Sequence, residues 1–161
     1  MREIVSVFLC GKIYGVEVSE MQGVENYQDF VKTGNEPDFL EGIVEIRNEF
    51  LPLVALKKNL VMPATPVTPE TKIMLMMTDH GHIGAVVDGV SGIFRVEDQE
   101  VKEFPQLMKT GKTGYAKFVA KNKENDLVIV LDPNNLLSQE QWDMVDKYVK
   151  DYKEECDKQE D

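Results

Sequence analysis

Cysteine and long apolar runs are the features that this sequence has least of. It contains two cysteines, Cys10 in an apolar stretch and Cys156 in a charged one, a placement that favours free thiols in a reducing compartment over a disulfide. It has no run of about 18 to 20 apolar residues to span a bilayer, and the opening stretch breaks at Gly11 and Lys12, too early for a secretory signal. These absences predict a cytoplasmic protein without direct membrane insertion.

Basic residues are also scarce in this chain. Eighteen lysines and arginines stand against 29 acidic residues, which gives a formal net charge of -11 at pH 7. Such a balance opposes binding to a phosphate backbone or to an anionic lipid surface, so we expect no nucleic-acid partner. The length of 161 residues and the hydrophobic share of 42% suit one domain or two small, closely packed subdomains.

Side chains that commonly carry catalysis or hold metals are few. The two histidines, His80 and His82, lie in the short stretch TDHGH, where the sequence shows neither a cysteine nor a third ligand at metal-binding spacing. A Gly-x-Ser-x-Gly elbow is absent. The sequence therefore predicts a binding protein without cofactor, metal or catalytic residues; a small-ligand-binding or enzymatic β-barrel that uses the two histidines is the alternative.

Alternating and β-branched stretches between turn residues predict about nine short strands. Residues 4–11 and 13–18 form one predicted hairpin through Gly11 and Lys12, and Asp88 with Gly89 predicts another hairpin turn. The segment 59–71 carries three prolines, which donate no hydrogen bonds to a sheet, and it is interpreted as the connection between two β subdomains. This pattern is typical of barrels or a sandwich.

One helix is predicted near the end of the chain. Ser138 can cap it while Gln141 reaches back to Ser138, an arrangement known as a capping box. An apolar stripe at helical spacing follows, made of Trp142, Val145, Val149 and Tyr152. The prediction is a helix over residues 138–153, followed by a disordered acidic tail over residues 154–161.

Four stretches, in order along the chain, resemble the CheW family of chemotaxis coupling proteins. The first resemblance lies in residues 39–54, which read FLEGIVEIRNEFLPLV. The other stretches are IYGVEV at 13–18, IGAVVDGVSGIFRV at 83–96 and DLVIVLDPNNLL at 126–137. Together they span about residues 3–137, and the chain departs from the family pattern at Glu45, Asn48 and Ala55. The change at Asn48 predicts a turn with positive φ, which asparagine tolerates.

The resemblance implies a mainly β fold of two intertwined five-stranded SH3-like β-barrels with a C-terminal α-helix. It places a CheW-like domain at residues 1–137. Within that domain, the first barrel is expected at about residues 14–60. The second barrel is expected to combine residues 1–13 with residues 70–137.

The resemblance also implies a function without turnover. Members of the family couple the cytoplasmic tip of a methyl-accepting chemoreceptor to the regulatory domain of a CheA-type histidine kinase. The signature arginine, implicated in receptor and array contacts, corresponds to Arg47, and the receptor-groove positions correspond to Met21, Gly23 and Val24. The signature glycine, Gly42, joins this receptor- and kinase-binding set.

Other interpretations of these residues stay open at the level of sequence. An arginine at the end of a strand is often an ordinary surface residue, and Met21 and Val24 fit core packing as well as partner contact. The departures at Glu45, Asn48 and Ala55 also leave room for a CheW-like adaptor in a different signalling or motility system.

Overall fold

The computed structural model describes residues 1–103 and 114–159 and contains two antiparallel-rich sheets. The first sheet has the order β8-β1-β2-β11-β10-β9. Its strands are β1 (Arg2–Leu9), β2 (Lys12–Glu17), β8 (Gly89–Val96), β9 (Lys102–Glu103), β10 (Ala116–Lys121) and β11 (Leu127–Leu131). The second sheet has the order β3-β6-β7-β5-β4. Its strands are β3 (Met21–Asn26), β4 (Leu40–Ile46), β5 (Glu49–Val54), β6 (Lys72–Thr78) and β7 (Gly81–Val87). Two α-helices accompany them in the described residues, α1 (Leu56–Asn59) and α2 (Gln139–Gln159).

The mainly β class with a C-terminal helix is confirmed, but the strands divide between the sheets differently from the predicted ranges. Strand β2 lies in the first sheet because it pairs with β1 through the tight turn at Cys10 and Gly11, which have φ of 52° and 78°. Strands β6 and β7 lie in the second sheet. The proline segment 59–71 therefore joins two strands of one sheet, and the first sheet gains a sixth strand, the two-residue β9.

The hydrophobic core has three parts, and strand β6 shows why. Ile73 and Leu75 point into the interior of the second sheet, while Met74 and Met76 point to the opposite face. That opposite face forms the inter-sheet core, a cluster that also contains Val7, Leu9 and Trp142. A third cluster, with Ile4, Phe94 and Phe118, fills the first sheet. A strand buried on both faces fixes the two sheets against each other.

Helix α2 begins as predicted and ends later than predicted. The backbone N–H of Gln141 donates to Ser138 Oγ at 3.2 Å, and that of Ser138 donates to Gln141 Oε1 at 2.9 Å, so the capping box is confirmed. The helix then runs to Gln159, through most of the expected disordered tail. Residues beyond Tyr152 are mostly Lys, Glu and Gln, which are good helix formers, and no Gly or Pro stops them. Residues 160–161 lie outside the described range.

The hairpin turn predicted at Asp88 and Gly89 is wrong, because the chain crosses from one sheet to the other at Asp88. Strand β7 pairs in the second sheet and β8 in the first, and Asp88 alone separates them. Its carboxylate accepts hydrogen bonds from Lys57 Nζ, from Thr65 Oγ1 at 2.6 Å and from the Cys10 backbone N–H at 2.7 Å. Burial alone would raise the pKa of Asp88, but the hydrogen bonds from Lys57, Thr65 and Cys10, with attraction to the Lys57 ammonium, lower it overall. One carboxylate thus binds three separate segments.

Replacing Asp88 by asparagine should lower the free energy of unfolding by about 2 kcal/mol, because a half-buried ammonium loses its partner. A lowered folded-state pKa means that this stabilisation is present above the unfolded pKa of about 3.9 and is lost as the pH falls through the folded pKa. Urea unfolding between pH 7 and pH 3 should therefore show a smaller acid-induced loss for Asp88→Asn than for the wild type. Asp98→Asn, at an exposed ion pair with Arg2, is the control and should lose less than about 0.5 kcal/mol. Equal stability of the two variants would contradict this role.

In the described part of the chain, neither helix combines the length and the apolarity that crossing a membrane requires.

Candidate functional site

Arg47 lies at the tip of the hairpin that joins β4 to β5. Ile46 pairs with Glu49, and the two residues between them, Arg47 and Asn48, have φ of 54° and 64°. Two consecutive positive φ values define the turn type that matches the twist of a hairpin. The predicted positive φ at Asn48 is confirmed. Arg47 adopts the same conformation, which is costly for an L-residue, and the pairing of Ile46 with Glu49 on either side holds its side chain at the tip of the hairpin.

The guanidinium of Arg47 reaches across the seam where the second sheet closes on itself. Its Nη2 lies 2.7 Å from Glu25 Oε1, and Glu25 belongs to β3, the other outer strand of that sheet. Nearby, Gln28 Nε2 donates to the Glu45 carbonyl at 2.7 Å, and Val31 exchanges two backbone hydrogen bonds with Ile43. These contacts bring β3 and the segment after it against β4, so the sheet forms a barrel-like closure with Arg47 on its surface.

Gly23 lies beside Arg47. A Cβ atom placed on Gly23 would have Arg47 Nη2 as its nearest neighbour, at 4.0 Å. The Arg47 side chain is 66% exposed and that of Glu25 is 29% exposed. Glu25 was missed by sequence reasoning, although its position two residues after Gly23 puts both on one face of β3. The result is a shallow, charged surface with an accessible guanidinium.

Met21 and Val24 lie on the opposite face of β3. The register shifts between Met21 and Gly23, a β-bulge, after which Met21 pairs with Met76 and Val24 with Met74. Paired residues share a face, so the bulge places Met21 and Val24 together at the margin of the inter-sheet core. Met21 packs partly into that core, which agrees with the core interpretation, whereas Val24 remains 38% exposed.

Gly42 is not brought to this surface. It is buried in β4, and a Cβ atom there would lie 2.4 Å from the Val31 carbonyl oxygen and 2.8 Å from Phe30 Cδ2. The segment after β3 therefore packs directly on the Gly42 backbone. The geometry gives this glycine a packing role, which differs from the predicted binding role.

The histidines take part in packing and in a polar contact at the surface. The His80 ring stacks on Trp142 of α2 with a centroid distance of 4.6 Å, and His82 Nδ1 lies 3.1 Å from Glu49 Oε1. Across residues 1–103 and 114–159, no group of three or more His, Cys, Asp or Glu side chains is placed to hold a metal ion.

Proteins named chemotaxis protein CheW are similar in sequence to this chain. The chain is 25% identical over 139 residues to the chemotaxis protein CheW of Klebsiella aerogenes, covering 86% of this chain and 83% of that protein. It is 24% identical over 130 residues to the chemotaxis protein CheW of Bacillus subtilis, covering 81% of this chain and 83% of that protein.

Its fold matches the crystal structure of the scaffolding protein TtCheW from Thermoanaerobacter tengcongensis with a TM-score of 0.76 at 21% identity, over 84% of this chain and 91% of that one. This match confirms the SH3-like fold. The family model described as the CheW-like domain matches residues 3–141. The chain therefore belongs to the CheW-like domain family.

Proposed function

We propose that this chain is a non-enzymatic scaffold of chemotaxis that couples chemoreceptors to a CheA-type histidine kinase. The observation that carries the proposal is Arg47, an accessible guanidinium on a fixed turn of a chain that belongs to the CheW-like family. Guanidinium groups present a planar fork of donors that suits carboxylates and backbone carbonyls of a partner. The activity would be binding alone, since coupling requires no bond to be made or broken.

The two faces of β3 suit contact with a receptor. Arg47 beside Gly23 supplies the polar part, and Met21 with Val24 supplies adaptable apolar contact at the margin of the inter-sheet core. Arginine is one of the residue types enriched among those that contribute most strongly to protein interfaces. We assign strand β3, with the Arg47 turn beside it, to the cytoplasmic hairpin tip of a methyl-accepting chemoreceptor, and the remaining barrel surface to the regulatory domain of the kinase.

The charge of the chain supports protein partners. A net charge of -11 disfavours nucleic acid and anionic lipid, so we place the protein in the cytoplasm and at receptor arrays through its partners. We leave Gly42 out of the receptor-binding residues, because the absence of a side chain there lets Phe30 and Val31 pack on β4.

Titration calorimetry with each partner alone tests this function. We expect saturable binding of a receptor cytoplasmic hairpin and, separately, of the kinase regulatory domain, with both bound at once in a sedimentation experiment. A bovine serum albumin titration controls for non-specific association. Absence of binding to both partners would refute the proposal, and competition between them would contradict separate surfaces.

A further inference from the structure

The chain passes from the first sheet to the second just before the proposed receptor-binding strand. Strand β2 ends at Glu17, a 3-10 turn covers Val18–Glu20, and β3 begins at Met21. Within the turn, the Met21 backbone N–H donates to the Val18 carbonyl, and Glu17 provides no side-chain cap. A three-residue 3-10 turn without a side-chain cap is weakly defined by itself.

Lys117, on β10 of the first sheet, binds both ends of this turn. Its Nζ lies 2.7 Å from Glu20 Oε1 and 2.9 Å from Glu17 Oε1. The two carboxylates are 17% and 12% exposed, and the Lys117 side chain is 32% exposed. Burial lowers the pKa of Lys117, but its bonds to Glu20 and Glu17 raise it more, so the net shift is upward and the ammonium stays charged.

Glu17 would remain partnered without Lys117, whereas Glu20 depends on it in this network. Arg2 Nη1 also lies 3.2 Å from Glu17 Oε1, and the Arg2 guanidinium packs over the Phe118 ring. The bond specific to Lys117 is thus the one to Glu20, which directly precedes Met21. This bond links the first sheet to the start of the second.

We propose that Lys117 is a positioning residue for the receptor-binding surface: by holding Glu20, it fixes where β3 starts and so where Met21 and Val24 lie. The inference rests on the proposed function, since it concerns the same surface. Lys117 acts through Glu20, so a substitution at either residue should displace the same two apolar side chains.

Affinity measurements on Lys117→Gln, Glu20→Gln and the double variant test this role. We expect each to bind the receptor hairpin about threefold to tenfold more weakly than the wild type, with the double variant no weaker than the single ones. Affinity for the kinase regulatory domain should stay within about twofold. Lys117→Arg, which retains the charge, should keep wild-type affinity, and so should Lys121→Gln, a change at an exposed lysine on the same strand.

Hydrogen exchange supplies a result that does not depend on any partner. Amides of residues 21–24 should exchange at least about threefold faster in Lys117→Gln than in the wild type, while those of β5 should not change. Unchanged exchange at residues 21–24 would overturn the inference even if the wild type bound no receptor, an outcome that would separately refute the proposed function. Equal losses of affinity for receptor and kinase would also overturn it, because they would indicate a general structural defect.

Discussion

Replacing Arg47 by alanine is expected to weaken binding of the receptor hairpin by about tenfold to a hundredfold. The reason is that Arg47 is a partner-facing guanidinium on a fixed turn, and truncating such a residue typically costs about 1.4 to 2.8 kcal/mol of binding free energy. Stability should change by less than about 1 kcal/mol, because the ion pair with Glu25 is largely exposed. Titration calorimetry and urea unfolding of the same preparation measure the two quantities.

Arg95 provides a matched control for this experiment. It lies on β8, its side chain is also 66% exposed, and it makes a longer ion pair of 3.8 Å with Glu3. Arg95→Ala removes the same charge from a different surface and should leave receptor affinity within about twofold. If Arg47→Ala and Arg95→Ala bound the receptor hairpin equally well, the proposed role of Arg47 would be wrong. Arg47 would then be an ordinary surface residue.

Replacing Gly42 by alanine should lower the free energy of unfolding by about 2 to 3 kcal/mol. A methyl group at this position would collide with the Val31 carbonyl oxygen at 2.4 Å and with the Phe30 ring at 2.8 Å. Overpacking of this kind forces the backbone apart, and here it would separate the segment after β3 from β4. Urea unfolding gives the change in stability.

Gly23→Ala is the companion variant, since Gly23 was assigned to the same binding set. A methyl group there has 4.0 Å to the nearest side-chain atom, Arg47 Nη2, so stability should change by less than about 0.5 kcal/mol. A Gly42→Ala protein as stable as Gly23→Ala would contradict the packing role of Gly42.

Local features of the chain could be predicted from the sequence. The first hairpin, the capping box at Ser138 and the positive φ at Asn48 each depend on residues only a few positions apart, and all three occur in the structure. The hairpin turns at Cys10 and Gly11, one residue earlier than the predicted pair Gly11 and Lys12. Contacts between neighbours in sequence follow from turn and capping chemistry, which the residues themselves carry.

Long-range pairings could not be obtained in the same way. The combination of β1 with the later half of the chain, where it pairs with β8, was expected from the family resemblance and not from local pattern. Asp88 is the crossing point between the sheets although an Asp-Gly pair is typical of a hairpin turn. The partner of Arg47, Glu25, comes from a strand on the other edge of its sheet. Nothing in local periodicity indicates which strands of two similar sheets will pair, so the division into sheets and the closing ion pair required the structure.

The family resemblance supplied the candidate residues, and the structure sorted them by geometry. Arg47 and Gly23 lie together, Met21 and Val24 share the other face of β3, and Gly42 is buried beneath Val31. A glycine in a family motif can serve packing or recognition of a partner, and the amino-acid sequence alone does not distinguish the two roles. The distance from a Cβ atom placed at the glycine position to its nearest neighbours distinguishes them.

Receptor-dependent kinase activity in a ternary reconstitution tests the central claim most directly. Receptor fragments, a CheA-type kinase and this chain are combined, and kinase autophosphorylation is compared with and without the chain and with Arg47→Ala in its place. We predict that activity rises only when all three components are present and that Arg47→Ala reduces the rise. Activity that is the same with and without the folded wild-type chain would contradict the role of this protein as a coupling scaffold.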